Sequence, residues 1–143
     1  MTILLTGATG FLGSHLLPRL LASTPARLAC LVRAPSEEAA RQRLRTAWET
    51  YGSAPDVRPE DEARIDIVLG DLAQPCLGLD EINFEGLTER TSLVVHSGGT
   101  VNFIYPYAQM KAANVDGTYE LLRLAARHGV AFHYVSTKWQ LSP

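Results

Sequence analysis

Apolar positions along this chain switch repeatedly between a continuous run and a helical repeat. Residues 3 to 6, Ile-Leu-Leu-Thr, form a short unbroken apolar run of the kind a strand buried on both faces shows. Leu12, Leu16, Leu17, Leu20 and Leu21 then recur at helical spacing. Pro18 lies inside that repeat. An interior proline removes one hydrogen bond and costs about 3 kcal/mol, so the pattern predicts a bend or a weak last turn. Residues 26–33 read as a second strand. Over 36–51, Ala40, Leu44, Ala47, Trp48 and Tyr51 share one helical face, and Glu37 and Glu38 in the first turn suit the helix dipole. The polar stretch 53–64 reads as a solvated loop. Further strands are predicted at 65–70, 91–96 and 131–136. A long helix is predicted over 107–128, closed by His128 and Gly129. Strands alternating with helices imply an α/β fold with a doubly wound parallel sheet of five strands.

Composition changes this picture little. At 143 residues the chain suits one domain, and its 46% apolar and 20% charged content is ordinary for a globular protein. The net charge of -2 offers no attraction for nucleic acid or an anionic membrane. No stretch is long and apolar enough to span a bilayer, and the N-terminus lacks the basic segment of a signal peptide. Cys30 and Cys76 lie far apart with no metal-ligand spacing. No metal site is expected, and a reducing compartment, the cytoplasm, fits.

The candidate chemistry begins at Gly7, Gly10 and Gly13, spaced three apart between the first strand and the first helix. Strand, glycines, helix and second strand together span about the ~30 residues of a dinucleotide-binding Rossmann unit. There one glycine permits the tight turn, one lets the backbone approach a pyrophosphate, and one lets the helix pack on the strand. The helix N-terminus offers free N–H groups to the phosphates. Many such units carry an acid at the end of the second strand to bind the ribose hydroxyls. Here Arg33 stands there. A guanidinium suits the 2′-phosphate of NADP, and a charge-assisted bond worth roughly 1.5 to 3 kcal/mol predicts about a 10- to 100-fold preference for NADP over NAD. Asp71, after the third strand, is placed to accept a bond from an adenine amino group. Gly98 and Gly99, after the fourth, would let backbone pass close under a cofactor.

Taken together, "LLTGATGFLGSHLL", "CLVRA", "GDLAQPCLGL", "VVHSGGTVNFIYPY", "KAANVDGT" and "FHYVST" resemble an extended short-chain dehydrogenase/reductase. The resemblance is closer to the thioester reductase branch, which includes reductase domains of nonribosomal peptide synthetases, carboxylic acid reductases and fatty acyl-CoA reductases. It implies reduction of an acyl thioester, held on a carrier protein or on CoA, to an aldehyde or alcohol with NADP(H) as cofactor. By motif position it places Thr6, Gly7, Gly10, Phe11, Leu12 and Gly13 at the cofactor, with the three glycines along its pyrophosphate. Arg33 falls at the 2′-phosphate, and Asp71 and Leu72 by the adenine. Asn114 is placed on the long helix near the active site, with Gly117 allowing close packing. Thr137 becomes the catalytic hydroxyl that helps polarise the thioester carbonyl.

The same resemblance calls for a Tyr-x-x-x-Lys downstream of Thr137, where the tyrosine donates a proton and the lysine holds the nicotinamide ribose and lowers the tyrosine pKa. Only "KWQLSP" follows Thr137. Tyr107 and Lys111 have that spacing but precede Thr137, and read as a helix surface. The expectation is therefore the N-terminal, NADP-binding part of a reductase, without its C-terminal substrate-binding part. The fifth strand would be an exposed edge. Loss of general acid catalysis alone lowers rates by about 10²- to 10⁴-fold, so residues 1–143 are expected to be inactive alone. Two alternatives stand beside this: a non-catalytic NADP-sensing module, and part of a sugar epimerase or dehydratase.

Overall fold

The computed structural model describes residues 1–51, 57 and 59–136. Five strands, β1 (Thr2–Thr6), β2 (Arg27–Val32), β3 (Ile65–Leu69), β4 (Leu93–His96) and β5 (Ala131–Tyr134), form one sheet in the order β3-β2-β1-β4-β5. Every pairing is parallel. The register sets Thr6 level with Leu31 on one side and His96 on the other. The C-terminal ends of β2, β1 and β4 therefore open onto one edge, and the winding reverses at β1. In open α/β sheets a ligand crevice forms at such a reversal.

Alternation along β1 explains why its run is apolar throughout. Ile3 and Leu5 face α1 (Phe11–Ser23) and α2 (Glu37–Tyr51), packing with Leu17, Leu21, Leu44 and Trp48. Leu4 faces the opposite layer, where Phe84, Leu87, Leu121 and Leu124 pack with Ala29 and Val94. That layer consists of α4 (Glu81–Arg90) and α6 (Gly117–His128). The helix α6 ends as its sequence predicts. Gly129 adopts φ +61°, and its N–H and that of Val130 return to the Ala125 carbonyl.

Four features differ from expectation. Helix α1 runs unbroken across Pro18 to Ser23, and its last turn is held by Thr24, whose N–H and hydroxyl both bond the Leu20 carbonyl. Within the polar stretch read as a loop, Pro59–Glu62 form a short helix, α3. Arg64 beside it donates to the carbonyls of Leu21, Thr24 and Ala26 and to Asp61, tying the end of α1 to this segment. Helix α4 has no counterpart among the predicted elements. It buries only Phe84, Leu87 and Thr88, too few apolar positions for a clear repeat, and is started by Asp80, which accepts from the Asn83 N–H at 2.8 Å. The long helix predicted over 107–128 is divided into α5 (Tyr107–Lys111), a π-helical turn (Ala112–Asp116) and α6.

The burial of α4 gives a direct check. Phe84→Ala is expected to lower the unfolding free energy by about 3 to 5 kcal/mol, and Ile82→Ala, at an exposed position of the same helix, by less than about 0.5 kcal/mol. Urea midpoints of the two variants measure both.

Candidate functional site

Gly7 follows β1 with φ +75°, a conformation side chains rarely adopt. A Cβ there would also lie 2.6 Å from the Gly98 nitrogen. The turn is closed by Gly10, whose N–H donates to the Gly7 carbonyl at 2.9 Å. Gly13 packs the first turn of α1 onto the same carbonyl, which a Cβ at Gly13 would overlap. Gly10 caps α1 with no side-chain bond, and the first turn holds no acid. Among the described residues the first N–H groups of α1 thus have no side-chain cap, and the helix dipole leaves partial positive charge there.

A groove of about 170 Å³ lies along the strand ends. The sequence-predicted Gly7, Arg33, Asp71, Leu72, Gly98 and Gly99 all line it. Arg33 is largely exposed, with its Nη1 3.7 Å from Asp71 Oδ2. Asp71 is held in place by its own turn: Oδ1 accepts from the Ala73 N–H at 2.9 Å, and its N–H donates to the Leu77 carbonyl at 2.7 Å. That carbonyl is brought there by three consecutive left-handed residues, Cys76, Leu77 and Gly78 (φ 51°, 60° and 75°). Two of these are not glycine, so the turn stores backbone strain. The fully buried Leu77 side chain helps to hold it. Leu72 lies between Gly98 and Gly117, in contact with the space a Cβ on either would fill.

Other predicted residues support the groove from below. Thr6 is fully buried, and its hydroxyl faces His96 and Gly98 rather than the groove. Asn114, on the π-helical turn, grips the backbone of Thr100. Its Oδ1 accepts the Thr100 N–H at 2.6 Å and its Nδ2 donates to the Thr100 carbonyl at 2.9 Å. A π-helical turn displaces residues from regular helical positions and often marks functional positions. Phe11 and Leu12 are exposed at the start of α1, where the Phe11 ring meets Tyr51 edge-on at 5.5 Å.

A model of the NAD-binding family described as Male sterility protein matches residues 5–142. The chain belongs to this family. One relative is the isonitrile lipopeptide synthase of Streptomyces coeruleorubidus, 47% identical over 94% of this chain and 9% of its own length. Another is a linear gramicidin synthase polypeptide of Brevibacillus parabrevis, 49% identical over 94% of this chain and 3% of its own. Among solved structures, the terminal R domain of the myxalamid PKS-NRPS biosynthetic pathway superposes with a TM-score of 0.88 at 49% identity, over 95% of this chain and 34% of that one. The reductase domain of a nonribosomal peptide synthetase from Mycobacterium tuberculosis gives 0.76 at 41%, over 95% and 33%. The chain thus spans about a third of these solved domains and under a tenth of the two curated relatives. The kinship expected with synthetase reductase domains holds. A UDP-glucuronic acid 4-epimerase from Bacillus cereus, in complex with NAD, shares only the fold, at 19% identity and a TM-score of 0.66.

Within this family member, sequence reasoning missed Arg43 and Thr9, which also line the groove. Arg43 lies on α2, beside the buried positions Ala40 and Leu44, and donates to the Arg33 carbonyl. Its signal was present: a basic residue flanking the buried face of α2, ten positions after Arg33. Tyr107 and Lys111 are helix-surface residues as read. Tyr107 is exposed, and Lys111 donates to Asp116. Thr137 lies outside the described residues. Cys30 is fully buried, and burial pushes its thiol up to about 12, so it is inert as a nucleophile. No helix among the described residues is long and apolar enough to cross a membrane.

His96 has no solvent exposure, and burial pushes its pKa down from 6.5 to about 4. Thr6 of β1, Thr118 of α6 and the stacked ring of Tyr134 on β5 surround it; of these only Tyr134 is titratable. Above pH 6.5 the ring is neutral in both folded and unfolded chains. As pH falls through 6.5 the unfolded chain takes up a proton that the folded chain refuses. Stability is then lost progressively down to about pH 4, by about 3 kcal/mol in all. Urea midpoints measured from pH 7.5 to 4 are expected to show this fall, and His96→Asn to flatten it.

Proposed function

We propose that the groove binds NADP(H) and that the chain is the cofactor-binding portion of a reductase acting on acyl thioesters held by a carrier protein. The observation that carries the choice of cofactor is that Arg33 and Arg43 both line the groove near the end of β2, where the sequence has arginine rather than the acid that would take a ribose 2′-hydroxyl. Two guanidinium groups there match a phosphate in charge and geometry.

The cradle suits a dinucleotide. Gly7 and Gly98 meet backbone to backbone, so no side chain fills the floor. The uncapped first turn of α1 supplies N–H groups at Phe11, Leu12 and Gly13 for the pyrophosphate. Thr9 stands at the same edge. Asp71 and Leu72 flank the adenine, and Gly98 and Gly99 let backbone pass under the nicotinamide half. NADPH, when bound, supplies a hydride. This chain's residues bind and orient it, and Thr137, by the family resemblance, offers its hydroxyl to the thioester carbonyl. A carrier protein as partner is supported by relatives within peptide synthetases and by the fold shared with a thiolation-reductase di-domain of an archaeal nonribosomal peptide synthetase, 26% identical with a TM-score of 0.74. No Tyr-x-x-x-Lys follows Thr137 in these 143 residues.

Calorimetric titration of the chain with NADPH and NADH tests this. NADPH is expected to bind at least tenfold tighter. Arg33→Ala is expected to weaken NADPH by about 10- to 100-fold and NADH by less than about threefold. Equal affinities for the two cofactors would overturn the assignment of Arg33 and Arg43 to a 2′-phosphate.

A further inference from the structure

A single line of hydrogen bonds runs from the π-helical turn to the groove floor, and its direction is fixed at one end. The Thr118 hydroxyl donates to the Asn114 carbonyl at 2.7 Å. It has one proton, so toward His96 Nε2, 3.0 Å away, it can only accept. His96 is therefore the Nε2–H tautomer, with Nδ1 bare. Thr6 Oγ1, 2.6 Å from Nδ1, must then donate to it. That leaves the Thr6 oxygen as acceptor for the Gly98 N–H at 3.2 Å. Every group in the line is satisfied in one direction only.

We propose that His96 is a positioning residue: its bare Nδ1 orients the Thr6 hydroxyl so that Thr6 holds Gly98, and it thereby sets the glycine loop that floors the dinucleotide groove. The second anchor of that loop is Asn114, gripping Thr100. Asn114 also starts the line through its own carbonyl. One line thus connects both anchors. A ring with a proton on Nδ1 would face Thr6 donor to donor unless the Thr6 proton turned away, and the other group in the line within reach of that oxygen, Gly98 N–H, is itself a donor. The effect on cofactor affinity rests on the function proposed above, whereas the hold on Gly98 does not.

Two substitutions at one position separate the ring's two ends. In His96→Asn the amide oxygen takes the place of Nδ1 and keeps Thr6 oriented, losing Thr118. In His96→Gln the amide nitrogen takes the place of Nε2 and keeps Thr118, losing Thr6. Amide hydrogen exchange of Gly98, read against core amides such as Leu4 and Ala29, is expected to stay within about threefold of the parent chain in His96→Asn and to rise about tenfold in His96→Gln, the size of one hydrogen bond. NADPH affinity is expected to follow the same split. Should either variant fail to fold, Thr6→Val and Thr6→Ser repeat the test, the first expected to free Gly98 and the second to hold it. Equal Gly98 exchange in His96→Asn and His96→Gln, or in Thr6→Val and Thr6→Ser, would overturn the role of His96 whatever the cofactor result. A parent chain that binds neither NADPH nor NADH would overturn the function instead, with the exchange data still deciding His96.

Discussion

The backbones of Gly7 and Gly98 lie so close that not one carbon atom fits between them. This approach is possible only because β1 and β4 are parallel neighbours in a register that ends both strands at the same level. It has consequences in every direction. It forces glycine at position 7 and leaves a groove floored by main chain. It also makes the turn after β1 tight enough that Gly13 must pack α1 directly onto the Gly7 carbonyl. The Leu72 side chain is drawn into the remaining space between Gly98 and Gly117, which docks the start of α6 against the third strand's loop. The site is therefore a by-product of how closely the layers pack rather than an addition to the fold.

Charge and strain then give that groove its character. The first turn of α1 carries no side-chain cap and no acid, and Arg33 and Arg43 line the same groove. Along its length the groove offers donors and positive charge where a dinucleotide carries phosphates. Asp71 is the acidic exception. The left-handed turn from Cys76 to Gly78 places the Leu77 carbonyl on the Asp71 N–H, so backbone strain is exchanged for a fixed carboxylate beside Arg33. Beneath the floor, His96 is kept neutral by burial and is satisfied on both nitrogens.

Much of this is legible in the sequence because it rests on local rules. Apolar runs, glycine spacing and the Gly129 cap each mark a conformation within a few residues, and they place the five strands, the alternation of layers and six of the residues that line the groove. What escapes depends on contacts between distant segments. Helix α4 has a weak repeat because one face meets a layer that needs only Phe84, Leu87 and Thr88. The π-helical turn follows no propensity; Asn114 is held there by Thr100, 14 residues earlier. Thr6 falls at the cofactor by its place beside the first glycine, yet the fold turns its hydroxyl inward because His96, 90 residues later, lies level with it across the sheet. Arg43 becomes a groove residue only when α2 packs beside the end of β2.

In the proposed function the main-chain floor between Gly7 and Gly98 is where a dinucleotide lies. A backbone amide NMR titration of the chain with NADPH tests this most directly. Shifts are expected to concentrate at residues 7–13, Arg33, Asp71, Leu72, Gly98 and Gly99, with the region around Leu21, Thr24 and Arg64 unchanged. Saturable shifts centred on that second region, or none at the glycines, would contradict it.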